Sequence, residues 1–141
     1  MIHGMQEYVT EKFMKQLEKA VRDCPHPDTE EEILYMGKAY VTFFIENPQY
    51  YKFLYFHEFM TVDLSLYSTG NFPPFEFLRE TVIRLNHINE KKLSEYEQEL
   101  ELLKLWSDVQ GLASIESMRG VKWNEEWEDT IVKILCYNNR G

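Results

Sequence analysis

The sequence has little of what marks several large classes of protein. No apolar run approaches the ~18 residues that a membrane-spanning helix needs, and the amino-terminal stretch MIHGMQEYVTEKF lacks the basic and apolar regions of a signal peptide. Basic residues are sparse: 15 Lys and Arg stand against 24 Asp and Glu, which gives a net charge of −9. Such an acidic surface repels phosphate backbones. The composition therefore predicts a soluble, cytoplasmic domain that does not hold nucleic acid by itself.

Cysteines and catalytic motifs are equally scarce. Cys24 and Cys136 lie near opposite ends of the chain without metal-ligand spacing, which favours reduced thiols over a disulfide. Phosphate-binding glycine loops and a GxSxG motif are absent. His57 begins an HExxH pattern, but Thr61 stands where the second histidine is needed. The acidic run SEYEQELE lacks the Glu-x-x-His pairs of a di-metal bundle. We expect no enzyme activity, no metal and no cofactor.

Helical periodicity is present along nearly the whole chain, and no strand pattern extends beyond a few residues. Thr29 and Glu32 fit a capping box at the start of a second helix. Asn47 and Pro48 end that helix and begin the next one. The sequence predicts an all-α fold of about six helices, at approximately 2–24, 29–46, 48–60, 74–86, 90 or 94 to 118, and from 124 onward.

The longest predicted helix has two apolar faces. One face, in its first half, carries Leu93, Tyr96, Leu100 and Leu103. A nearly opposite face, in its second half, carries Leu102, Trp106, Val109 and Ala113. Because each apolar face of a helix must be covered, this helix is expected to have two neighbours.

Aromatic residues are concentrated in the middle of the chain, where thirteen of them lie between Tyr40 and Phe77. Five of the thirteen are tyrosines, whose hydroxyl groups must find partners when buried. Apolar walls with a few polar tips are typical of small-molecule pockets, but an ordinary filled core would use many of the same residues. Composition alone leaves both interpretations open.

Two segments carry a resemblance to a known family. Residues 39–51, AYVTFFIENPQYY, resemble the AYvxFaxenPxlyxlmF segment in the carboxy-terminal domain of TetR-family transcriptional regulators. Residues 105–113, LWSDVQGLA, look like the W-x-x-v-H-G-l-a segment of the subgroup with a Trp-His-Gly signature. The order of the predicted helices is also similar, so the resemblance covers essentially the whole chain. Gln110 replaces the signature histidine, although a glutamine can still offer a hydrogen bond.

The resemblance implies a single regulatory domain over residues 1–141, with residues 1–24 as the helix that connects it to a DNA-binding domain. Such a domain binds a small hydrophobic or aromatic effector and forms a homodimer in which the last two long helices make a four-helix bundle. The helix-turn-helix domain that would bind operator DNA is not in this sequence, which we interpret as a fragment or a natural truncation. In a full-length repressor, effector binding would shift the connecting helix and the spacing of the two DNA-binding heads.

The resemblance and the helical faces together predict two sets of site residues. The predicted effector pocket has three candidate polar contacts, Tyr55, His57 and Gln110, and its remaining members are Tyr40, Phe44, Tyr51, Leu54, Phe59, Phe77 and Trp106. The predicted dimer interface consists of Leu102, Val109, Gly111, Leu112, Ala113, Trp127, Ile131 and Ile134, with Gly111 allowing close approach of helices. The alternative function is a stand-alone helical interaction module with a filled aromatic core, which would pair with a full-length relative.

Overall fold

The computed structural model describes residues 2–56, 62–118 and 120–139. These ranges contain six α-helices and no strand, which confirms the all-α prediction. Within them, no helix is both long and apolar enough to cross a membrane. The helices are α1 (Ile2–Arg22), α2 (Glu31–Glu46), α3 (Pro48–Phe56), α4 (Pro73–Ile88), α5 (Glu95–Glu116) and α6 (Trp127–Asn139).

The junction between α2 and α3 is formed by Asn47 and Pro48, as the sequence predicts. The backbone N–H of Asn47 donates to the carbonyl of Phe43 at 3.0 Å, and its side-chain amide donates to the same carbonyl at 2.9 Å. Pro48 then opens α3, where its missing N–H costs nothing. The two helices therefore meet with a single residue between them.

The start of α2 differs from the predicted capping box. The hydroxyl of Thr29 accepts from the N–H of Glu31 at 3.3 Å, but the carboxylate of Glu32 does not return to the cap. It is buried and accepts a hydrogen bond from Arg84 of α4 at 2.7 Å. The capping-box prediction is wrong because this ion pair between helices competes for the same carboxylate.

A complete capping box begins α5 instead. The hydroxyl of Ser94 accepts from the N–H of Glu97 at 3.1 Å, and the carboxylate of Glu97 accepts from the N–H of Ser94 at 3.1 Å. This reciprocal arrangement satisfies two backbone donors and fixes the first turn of the helix. At the other end of the fold, α6 begins at Trp127, three residues later than the sequence suggests.

The central element of the fold is α2, which packs against each of the other five helices. Its buried side chains include Met36, Tyr40 and the pair Phe43 and Phe44. At Gly37, a β-carbon would overlap a terminal methyl group of Leu135 of α6, so a larger residue there requires that side chain to move. The core therefore lies around α2, with α1, α4, α5 and α6 supplying its outer walls.

The two apolar faces of α5 have different surroundings. One face is buried against the rest of the chain, at Leu102, Leu105, Val109, Leu112 and Ala113. On the other face, the side chains of Tyr96, Leu100 and Leu103 are 67 %, 46 % and 37 % exposed. The described chain covers only the first of these faces, and Leu93, assigned to the second, precedes α5. The second neighbour stays a prediction.

The link between α3 and α4 is held to α4 by a buried arginine. One guanidinium nitrogen of Arg79 donates to the carbonyl of Ser65 at 3.0 Å and to the hydroxyl of Ser68 at 2.7 Å. The other donates to the carbonyl of Ser68 at 2.9 Å. Hydrogen bonds from a charged donor are stronger than neutral ones, so Arg79 fixes this irregular link over the core.

Candidate ligand-binding site

Three of the predicted pocket residues meet at one hydroxyl group. Tyr40 projects from α2, while Trp106 and Gln110 lie one turn apart on α5 and therefore share a side of that helix. The indole N–H of Trp106 donates to the Tyr40 hydroxyl oxygen at 3.3 Å, and the side-chain amide of Gln110 also donates to it. Tyr40 itself is fully buried. The fold thus joins residues that are 66 and 70 positions apart in the sequence.

Aromatic rings pack against Tyr40 and Trp106 and against one another. Phe13 of α1 lies edge-on to Tyr40, with ring centroids 4.8 Å apart, and edge-on to Phe44 at 5.1 Å. The ring of Tyr51 lies 5.5 Å from Phe44, also edge-on. On the α5 side, Phe75 contacts Trp106 at 5.1 Å. Edge-to-face pairs of this kind are favourable beyond the area that they bury. We call Phe13, Tyr40, Phe44, Tyr51, Phe75, Trp106 and Gln110 the aromatic cluster.

Sequence reasoning missed two members of the aromatic cluster, Phe13 and Phe75. Phe13 could have been found, because it lies on the apolar face that the spacing of α1 defines. Phe75 stands in the first turn of α4, where periodicity is not yet established. Phe77, which was predicted, is partly buried and packs against the core.

Several predicted pocket residues cannot be assigned a position from the structure. His57 and Phe59 lie outside the described residues. The backbone of Leu54 and Tyr55 belongs to α3, while the placement of their side chains is not described. Polar contacts from Tyr55 and His57 to an effector therefore stay predictions.

Most of the predicted dimer residues lie inside the single chain. The side chains of Leu102, Val109, Leu112, Ala113 and Ile131 are buried in the core, and Trp127 and Ile134 are partly buried against it. Gly111 differs from them, because a β-carbon there would meet no atom within 4 Å. In this arrangement a second copy could touch Gly111 but not the five buried side chains. The choice between the two faces of α5 required tertiary information that apolar spacing does not contain.

Two cavities lie between the described helices, and no predicted pocket residue lines either of them. A cavity of about 480 Å³ lies between the start of α2, the end of α4 and the start of α5; we call it the end cavity. A shallower groove of about 290 Å³ runs between α1 and α2 and reaches Glu128 of α6. Within the described part of the chain, no cluster of three or more His, Cys, Asp or Glu is placed to hold a metal ion.

Two carboxyl groups of α5 have raised pKa values. Burial raises the pKa of Glu101, which lines the end cavity, and the nearby Lys91 partly offsets this effect. Burial also raises the pKa of Glu116 to about 7. Neither carboxylate oxygen of Glu116 has a hydrogen-bond partner among the described residues. Both groups are thus desolvated without full compensation.

Comparison with known proteins identifies no relative of this chain. No protein-family model, no curated protein and no solved structure matches the chain. Functional reasoning therefore rests on the residues, their geometry and the two resembling segments.

Proposed function

We propose that the chain is the ligand-sensing and homodimerising domain of a TetR-like transcriptional regulator. The observation that carries this proposal is the contact between the two segments that resemble the family. Residues 39–51 contribute Tyr40, residues 105–113 contribute Trp106 and Gln110, and the three side chains share hydrogen bonds. Operator DNA would be bound by a helix-turn-helix domain outside these 141 residues.

The chemistry of the aromatic cluster suits a small hydrophobic or aromatic effector with one hydrogen-bonding group. Its walls are rings, and its polar groups are two tyrosine hydroxyls, one indole N–H and one amide. Pockets for small molecules commonly combine apolar walls with a few polar groups that fix orientation. An effector with an acceptor atom would compete with the Tyr40 hydroxyl for the donors on Trp106 and Gln110.

A route from the effector to DNA-binding heads runs through α1. Phe13, midway along that helix, contacts both Tyr40 and Phe44 and is stacked on Phe43 with centroids 4.4 Å apart. A change in the positions of these rings would favour a different placement of α1. Coupling between two sites of this kind typically amounts to about 1–3 kcal/mol. The effector would thus shift the population of two arrangements of the connecting helix.

The exposed face of α5 supports the homodimer. Exposed Lys104 lies on this face one turn after Leu100, and the uncharged residues around it are Tyr96, Leu100, Leu103 and Gly111. We call these four residues the α5 stripe. Since like-charged surfaces repel each other, an uncharged stripe is where two acidic copies could meet. The proposed bundle is formed by this stripe and α6 together with their copies.

Native mass spectrometry of Tyr40→Phe tests the sensing function. We expect the unaltered chain to carry a small molecule that leaves on activation, and Tyr40→Phe to retain it in a larger fraction of molecules, because the hydroxyl that competes with the effector for the donors of Trp106 and Gln110 is removed. Tyr67→Phe is the matched control, since Tyr67 is 76 % exposed and outside the aromatic cluster. Equal retention by Tyr40→Phe, or a chain that binds no small molecule at all, would contradict the proposal.

One observation favours the alternative, a helical interaction module without a ligand. Tyr40 and Phe44 are fully buried among rings of the chain itself, as in a filled core. In that case the same experiment would give a ligand-free dimer. Tyr40→Phe would then change the stability of the chain but not the mass of any bound small molecule. A mixture with a full-length relative would then show heterodimers.

A further inference from the structure

The end cavity has the size of a small-molecule site. Its volume of about 480 Å³ falls within the roughly 300–1,000 Å³ of ligand pockets. Three helix ends form it: the first turn of α2, the last turns of α4 and the first turns of α5. None of its lining residues belongs to the aromatic cluster, so its occupancy does not depend on the sensing function proposed above.

The floor of the end cavity is apolar. It consists of Ile33 from α2 and Val82 and Leu85 from α4, all three buried in the core. Leu93 and Leu100 add apolar surface on the α5 side. An occupant must therefore have a hydrocarbon part, because a wholly polar molecule would lose its hydration against this floor without compensation.

Acidic groups outnumber basic ones at the rim, where Glu30, Glu97 and Glu101 stand with Lys91 and Lys104. Two of the three carboxylates already have partners. Glu30 pairs with Lys91 at 3.3 Å, and Glu97 accepts the N–H of Ser94 in the capping box.

Glu101 is the carboxylate that remains for an occupant. It is half-buried, it accepts a hydrogen bond from Asn86 and is near Lys91, and it forms no ion pair within the described part of the chain. A positive charge placed there would compensate the desolvation of its carboxylate.

The end of α4 adds to the negative potential. Leu85, Asn86 and Asn89, in and just after its last turn, all line the cavity. The carboxyl end of a helix has a partial negative charge, and cations are favoured near it. A carboxylate, the carboxyl end of α4 and an apolar floor thus act on the same half-open volume. The positive amino ends of α2 and α5 also reach it, and acidic residues in their first turns offset them.

We infer that the end cavity binds a small organic cation with an apolar body, such as a primary alkylammonium. Its ammonium group would lie at Glu101 and donate to that carboxylate. Its hydrocarbon chain would cover Ile33, Val82 and Leu85. An anion of the same shape would face Glu101 and the end of α4, and a neutral molecule of the same shape would gain only the apolar contacts.

Calorimetric titration of the full chain with n-hexylammonium tests this assignment, with n-hexanol and hexanoate as the neutral and anionic counterparts. We expect n-hexylammonium to bind and hexanoate not to bind. Glu101→Gln should weaken n-hexylammonium binding by about tenfold or more while leaving n-hexanol unchanged, because a charge interaction at short range is removed. The amide keeps the size of the side chain, and it removes a desolvated charge, so folding should be preserved.

The matched control is Glu95→Gln. Glu95 is exposed on the first turn of the same helix and does not line the end cavity. Glu95→Gln removes the same unit of negative charge as Glu101→Gln. Because an exposed charge is screened by salt, this control should change the affinity for n-hexylammonium by no more than about twofold. Absence of n-hexylammonium binding, equal binding of hexanoate, or equal weakening by Glu95→Gln and Glu101→Gln would each overturn the inference.

Discussion

The two faces of α5 are similar in sequence and opposite in environment. Leu102 and Leu103 are neighbours in the chain with identical side chains, yet Leu102 is 0 % and Leu103 is 37 % exposed. Glycine shows the same contrast: Gly37 of α2 faces α6 without room for a methyl group, whereas Gly111 of α5 faces open space. Hydrophobicity therefore identifies a surface that requires a partner, and the fold decides whether the partner is the same chain.

Alanine substitution of the two adjacent leucines should give the largest difference. Leu102→Ala leaves a cavity in a packed core and is expected to lower the free energy of unfolding by about 3–5 kcal/mol. Leu103→Ala removes contacts mainly with solvent and should lower it by less than about 1 kcal/mol. Urea denaturation at a concentration where the chain is monomeric measures both. Similar losses for the two variants would show that the faces are not distinct.

The same contrast predicts where a second copy binds. Leu103→Glu places a charge in the α5 stripe and should convert a dimer to a monomer in light scattering, with the free energy of unfolding of the monomer nearly unchanged. Tyr8→Glu is the matched control, because Tyr8 is also an exposed apolar residue and lies on α1. Dissociation by both variants, or by neither, would argue against an interface at the stripe.

The two glycines provide a smaller and oppositely signed pair of effects. Gly37→Ala forces a methyl group against the fully buried Leu135, and the net loss of stability should be about 1–2 kcal/mol after the gain in helix propensity. Gly111→Ala gains that propensity without a clash, so the monomer should become about 0.5–1 kcal/mol more stable. If copies meet at Gly111, the same substitution raises the dissociation constant of the dimer in sedimentation experiments. Destabilisation of the monomer by Gly111→Ala would contradict the open surface described there.

Sequence reasoning recovered the helices and part of the aromatic cluster. The helix junction at Asn47 and Pro48 could be predicted because it depends on local backbone chemistry. That Trp106 and Gln110 share a side of α5 follows from helical spacing. Their placement in one pocket with Tyr40 came from the resemblance of two segments to a family, since no local rule joins α2 to α5.

The features that sequence reasoning missed depend on contacts between helices that form only in the folded chain. Glu32 could cap α2 or pair with Arg84, and the ion pair prevailed. The end cavity was missed because the start of α2 lies far in sequence from the two helix ends that complete its lining. By contrast, the capping box of Ser94 and Glu97 follows the S-x-x-E pattern and could have been predicted.

Glu116 is where the buried face of α5 departs from apolar chemistry. It stands one turn after Leu112, with a pKa that burial raises from 4.5 to about 7. Between these two values the native state holds more protons than the unfolded state. Its stability therefore falls as the pH rises through this window, and the contribution is fully retained below pH 4.5.

Glu116→Gln should remove this pH dependence. Because the side chain is partly exposed, solvent screening reduces the effect, and we expect the variant to be more stable than the unaltered chain by roughly 1 kcal/mol at pH 8. Near pH 4.5, where Glu116 is largely protonated in the native state, the difference should be much smaller. Glu125→Gln, at an exposed position before α6, should give the same stability as the unaltered chain at both pH values. Urea denaturation across the range measures the comparison; a difference independent of pH would mean that Glu116 titrates normally and that the last turn of the buried face is open to water.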